Sequence, residues 1–368
     1  MHLRRLVAAG IATFFPLAAV SAVPAGFDAA VQEQGRAWLT ENDGIGLTIG
    51  VYDGGKRYFY NFGATRIDGN RLPTKDTIYE IGSVAKTMGA QLLARAVVEG
   101  RATLEDEATK YLAEQYPNFT RDGEPIRLLH LVNMTSQLVD NIPDVTQVRK
   151  VENEALATSK MKVFSRYSRA EFLRQLHRIV PRGKPGGDPG QSNVAAMLLG
   201  VVLEKIYGEP YDAILTREIE KPLRMASGTR PETKLLARGY TVDNEELPTY
   251  DARMSWPTGA LRYSADDLLK YAAWQMAEKD ASVKLAHRAT WTTADQRESI
   301  AMYWLMSQSA HGRRLNYAGR TYGFTSVCDL YPEAGVAIVL LSNKNTDRAQ
   351  ETLRALSVKI AALARPPN

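Results

Sequence analysis

One cysteine, Cys328, is all that this chain of 368 residues contains, so no intramolecular disulfide can form and packing alone must hold the folded state. Charge of either sign is modest. The formal net charge is +5, and it falls to +3 when Arg4 and Arg5 are set aside with the N-terminal segment that carries them. That balance excludes a nucleic-acid partner, because no stripe interleaves basic and aromatic side chains as such a partner requires. The basic residues read instead as scattered over solvated faces. Histidines are few: His130, His177, His287 and His311 stand far apart without metal-ligand spacing, so they read as core or surface residues, and neither a metal nor an organic cofactor is expected. There is no internal repeat and no low-complexity tract. The glycine-rich stretch from Gly183 to Gly190 does not follow the order G-x-x-x-x-G-K-[ST] and has no strand leading into it, so it reads as a rigid loop feeding the next helix.

The first 22 residues have the pattern of an export signal, with His2, Arg4 and Arg5 ahead of the apolar run Leu6 to Val20 and small residues around Ala22. The run is short and broken by Pro16, so no stable membrane anchor is expected. A periplasmic or secreted, monomeric protein follows, beginning between Val23 and Gly26. Its length, about 345 residues, exceeds what one core usually organises, which predicts two lobes sharing a cleft.

Helical periodicity covers Phe27 to Thr40. Gly46 to Tyr52 and Tyr58 to Gly63 read as strands joined by a hairpin turn at Asp53-Gly54-Gly55. Near the C-terminus, Leu315 to Ala318, Phe324 to Tyr331 and Val336 to Leu341 read as three strands, followed by a closing helix from Asp347 to Leu363. The predicted architecture is an α/β lobe, residues 23–100 and 300–368, whose antiparallel sheet joins strands from both ends of the chain. A mainly helical, all-α lobe, residues 101–299, is inserted between them, with the active site at the interface.

Chemistry concentrates at Ser83 and Lys86, within Tyr79-Glu80-Ile81-Gly82-Ser83-Val84-Ala85-Lys86-Thr87. A serine hydroxyl needs a base within hydrogen-bond reach to attack a carbonyl at neutral pH, and a lysine three residues on along a helix lies over the same face. The segment before Gly82 reads as extended and Met88 to Glu99 as an apolar helix. Ser83 is thereby placed at a helix N-terminus, where free backbone N–H groups favour developing negative charge. The same Ser-x-x-Lys pattern recurs at Ser159-Lys160-Met161-Lys162 in a polar, basic context without the strand, glycine and apolar helix, and reads as bland.

From Ile78 onward the chain resembles the penicillin-recognising serine hydrolases, in the branch that holds class C β-lactamases, related esterases and D-amino-acid peptidases. The carriers are IGSVAKT (81–87), LLARAVVEGRATLEDEATKYL (92–112), IRLLHLVNMTSQLVDNIPD (126–144), PGQSNVAAMLLGVVLEKIYGEPY (189–211), TGALRYSADDLLKY (258–271) and YAGRTYGFTSVCDLYPEAGVAIVLLSNK (317–344). The resemblance implies a β-lactamase/transpeptidase-like fold and a small-molecule substrate: a β-lactam, a cell-wall peptide or an ester. It also exposes two departures. Where the family has Tyr-x-Asn, this chain has Gln191-Ser192-Asn193, keeping the asparagine and losing the phenol. Where the family has Lys-Thr-Gly or His-x-Gly, it has Tyr317-Ala318-Gly319, losing the cation. The resemblance implies substrate contacts from Gln191, Asn193, Gly319 and Arg320, with the backbone N–H groups of Ser83 and Arg320 completing an oxyanion hole. A phenol lost at Gln191 and gained at Tyr317 suggests that Tyr317 takes over a proton-relay role, against the alternative that it only fills volume. Three functions stay open: hydrolysis of a β-lactam or related cell-wall amide through an acyl-enzyme, ester hydrolysis on the same scaffold, and silent binding of cell-wall fragments. Trp256 and Tyr303-Trp304 are read as core aromatics.

Overall fold

Both ends of the chain feed one antiparallel sheet of eight strands, as their alternating apolar residues predict. The computed structural model describes residues 23–364 apart from 153 and 230, so the export-signal reading of residues 1–22 lies outside the described part. The strands are β1 (Gly46–Asp53), β2 (Lys56–Gly63), β3 (Trp291–Thr292), β4 (Glu298–Ala301), β5 (Trp304–Ser309), β6 (Gly312–Arg320), β7 (Thr325–Tyr331) and β8 (Val336–Ser342). Their spatial order is β2-β1-β8-β7-β6-β5-β4-β3. The hairpin between β1 and β2 turns at Gly54 and Gly55, whose φ angles of 55° and 96° suit the right-handed twist of the flanking strands.

The sequence predicts five of these strands, and the structure adds three. β3, β4 and β5 are short or polar, and their strand character comes from pairing in series, β5 on β6, β4 on β5 and β3 on β4, rather than from local pattern. The sheet thus reaches back to Trp291, and β6 runs longer than expected at both ends.

Side chains along the central strands alternate between two faces, both of them buried. Leu47, Ile49, Val51, Ile338 and Leu340 face α1 (Phe27–Glu41) and the closing helix α5 (Ala349–Ala364). Tyr317, Cys328, Val339 and Leu341 face the other way, into a larger core with α2 (Ala85–Val98), α3 (Asn193–Tyr207) and α4 (Ala265–Ala277). Trp256, Tyr303 and Trp304 are buried in this core. Cys328 is also buried, and desolvation pushes its thiol well above the usual range, which suits a packing role. Among the described residues, no helix is long and apolar enough to cross a membrane.

Candidate active site

The chain enters α2 through a tight turn, Gly82–Val84, of 3₁₀ character. Gly82 has φ of +52°, and a methyl group there would lie 2.4 Å from the backbone nitrogen of Arg320 on β6. Gly319 is as confined: a methyl group on it would lie 2.1 Å from Ile81 O and 2.7 Å from Ser83 N. Only glycine at both positions lets the turn and the strand approach so closely. Ser326 Oγ fixes the join from β7 by donating to Ile81 O at 2.6 Å. The backbone nitrogens of Ser83 and Arg320 are thereby brought to one place.

Ser83 is half-buried at the mouth of the turn, whereas Lys86, one helical turn on, is only 2% exposed. Lys86 Nζ lies 3.3 Å from Ser83 Oγ and 3.5 Å from Gln191 Oε1. Burial lowers the Lys86 pKa to about 8, since desolvation disfavours the ammonium, while the Asp140 carboxylate pulls weakly the other way. The neutral form of that amine, the minority below pH 8 and the majority above it, can accept the serine proton.

The facing wall is the start of α3. Ser192 caps this helix: its Oγ accepts from Ala195 N at 3.0 Å and donates to Val139 O at 2.8 Å. Its hydroxyl is therefore committed to structure. Asn193 Nδ2 donates to Asn141 Oδ1 at 2.8 Å, and Asn193 N donates to Asp140 O, also at 2.8 Å. The loop from 182 to 190 docks onto residues 134–137, with Gly186 N donating to Thr135 O and Gly190 N to Met134 O. Its expected role as a rigid feed into the next helix is what the structure shows.

Tyr317 completes the cluster from β6. Its hydroxyl lies 3.5 Å from Gln191 Oε1, the same oxygen that faces Lys86. Full burial pushes the phenol up to about 12, so it is a neutral donor across the physiological range. Pairing between β5 and β6 ends at Leu305 with Asn316, which leaves the edge of β6 from Tyr317 to Arg320 free of β5. That edge borders a cavity of about 590 Å³ lined by Ser83, Lys86, Gln191, Asn193, Tyr317 and Arg320 among others. Gly319 abuts the Ser83 turn behind this edge, so the structure gathers all seven residues singled out from sequence.

Several cavity residues carry no sequence signal. Asp140 and Asn141 sit inside the block 126–144 that carries the family resemblance, but nothing local marks them as functional. Gln350 and Arg354 come from α5, which reads from sequence as a plain amphipathic closing helix. Among the described residues, no group of three or more His, Cys, Asp or Glu side chains gathers as a metal site.

A family model described as Beta-lactamase matches residues 27–362. The chain is 23% identical over 359 residues to a beta-lactamase of Pseudomonas fluorescens, covering 87% of this chain and 94% of that protein. It is 28% identical over 227 residues to the D-alanyl-D-alanine-carboxypeptidase/endopeptidase AmpH of Escherichia coli, covering 61% of this chain and 56% of that protein. Among solved structures, a beta-lactamase/D-alanine carboxypeptidase from Pseudomonas syringae superposes with a TM-score of 0.76 at 20% identity, over 93% of this chain and 100% of that one.

Proposed function

The chain belongs to the beta-lactamase family, whose members are serine hydrolases working through an acyl-enzyme, and we propose that here Ser83 is the nucleophile and Lys86 its base. The observation that carries this reading is the Lys86 amine: 2% exposed, 3.3 Å from Ser83 Oγ, and lowered to about 8. In the acylation step Ser83 Oγ attacks the substrate carbonyl while its proton passes to Lys86 Nζ. The oxyanion is received by the N–H groups of Ser83 and Arg320. Collapse of the tetrahedral intermediate breaks the carbonyl–nitrogen bond, and a proton returns to the departing nitrogen. Tyr317, neutral and facing Gln191 Oε1, is the donor on that side, resupplied by Lys86 through the small space the three groups share. Water then releases the acyl group by the reverse use of the same amine.

Substrate lies along the free edge of β6, with Asn193 and Gln191 offering amide groups from the opposite wall. The proposed substrate is a β-lactam or a related cell-wall amide, met outside the cytoplasm, the compartment to which the leader-like first 22 residues point. Intact-mass spectrometry after exposure to a panel of β-lactams tests this, with a short-chain nitrophenyl ester run beside it. A stable or transient adduct on the peptide containing Ser83 is expected. Ester turnover without any β-lactam adduct assigns the esterase activity instead, and affinity without an adduct from either compound assigns a binding protein.

A further inference from the structure

Asp140 lines the cavity, and its carboxyl oxygens are held by uncharged donors. Its Oδ2 accepts from Asn141 Nδ2 at 2.8 Å, and its Oδ1 accepts a weaker bond from Asn193 N at 3.3 Å. Both donors are neutral, and both belong to the wall that faces β6. Asp140 enters no ion pair among the described residues. The Lys86 amine, which feels the Asp140 charge, is directed toward Ser83 and Gln191. The other charges lining the cavity, Arg320 and Arg354, come from β6 and α5 on the opposite side.

A half-buried carboxylate lining a cleft gains from a positive charge delivered into that cleft. The two hydrogen bonds orient the group and leave lone pairs on both oxygens open, which is how a recognition carboxylate is prepared. Asp140 is the only acidic side chain lining this cavity among the described residues, so the preference is focused at one point.

We propose that Asp140 binds a substrate ammonium, and that the Ser83 site therefore selects amides whose acyl portion carries a free amino group. With Tyr317 on β6 as the proposed donor to the departing nitrogen, the wall that carries Asp140, Asn141 and Asn193 is the one assigned to the acyl side of the scissile bond. This inference rests on the acyl-enzyme reading above and narrows its substrate class.

Ampicillin and benzylpenicillin differ by one amino group on the acyl side chain, and N-acetylampicillin restores bulk without charge. The second-order rate constant for Ser83 acylation is measured for all three at neutral pH. Ampicillin should acylate roughly tenfold faster than the other two, the size of one charge-assisted hydrogen bond. The preference should shrink at high ionic strength in the unaltered protein and collapse toward one in Asp140→Asn. The ratio is the readout because any effect of Asp140 on Lys86 acts on all three compounds alike. Labelling of Ser83 by a fluorophosphonate checks that the variant is folded. Equal rates for the three compounds in the unaltered protein, or a preference that survives Asp140→Asn in folded protein, overturns the assignment of Asp140 alone. Absence of a Ser83 adduct from every compound overturns the acyl-enzyme reading and this inference with it.

Discussion

Two Ser-x-x-Lys sequences in one chain sit in opposite surroundings. At Ser83 the lysine is 2% exposed and the serine half-buried at the edge of a cavity. At Ser159 the serine is 7% exposed, and the Lys162 side chain is 56% exposed. Glu154 joins the second pair: Ser159 Oγ donates to one of its oxygens at 2.8 Å and Lys162 Nζ is ion-paired to the other. Lys162 in turn holds the Glu154 carboxyl below its usual range. An ion pair requires the ammonium, which has no lone pair to take a proton, so the spacing is spent on a surface bridge. Desolvation rather than sequence spacing separates a catalytic lysine from a structural one.

The largest effect that tests this contrast is the exchange of each serine in turn. Ser83→Ala should abolish covalent labelling by a fluorophosphonate or a slow β-lactam. Ser159→Ala should label at the original rate and lose only about 1 kcal/mol of stability with its hydrogen bond. Labelling that persists in Ser83→Ala, read by intact mass, would erase the distinction. The lysines come next. Lys86→Met keeps most of the volume and removes the base, so acylation should fall by about 10² to 10⁴, with an unfolding midpoint near the original, whereas Lys162→Met should leave acylation alone.

Tyr317→Phe sharpens the comparison from the other wall of the Ser83 cavity. A fall of roughly a hundredfold in acylation or deacylation is expected if the hydroxyl passes a proton. Unchanged kinetics would make Tyr317 packing and return the whole relay to Lys86.

The smallest effect is a shift along the pH axis. Lys86 is mainly protonated below pH 8 and mainly neutral above it, so the acylation rate should climb with pH and level off above about 8. Tyr317, pushed up to about 12, stays neutral throughout that window and adds no limb of its own. Asp140 favours the ammonium, so Asp140→Asn should move the limb to lower pH. The stability linkage has the same origin. The unfolded lysine titrates near ~10.4, so between about 8 and that value the unfolded chain binds more protons and stability rises with pH. Below that window the cost of a buried ammonium is carried in full. An acylation profile flat from pH 6 to 9 would remove Lys86 as the base.

Much of the scaffold is local in origin and was legible. The apolar run from Val336 to Leu341 reads as a strand, Asp53-Gly54-Gly55 as the hairpin, and Gly82 before Ser83 as the end of an extended segment that leads into an apolar helix. What local pattern did not carry was β3 to β5, whose pairing depends on a neighbour, and the cavity wall from α5.

By itself the sequence determined that a serine and a lysine would share one helical face and that both chain ends would build one sheet. The tertiary structure alone decided which lysine loses its water. It also brought Tyr317 and Gln191, 126 residues apart, to one oxygen shared with Lys86, and set Asp140 in the same cavity. The physical reason is that helical spacing is a property of neighbouring residues along the chain. Desolvation and the meeting of distant side chains depend on the closure of the whole core around them.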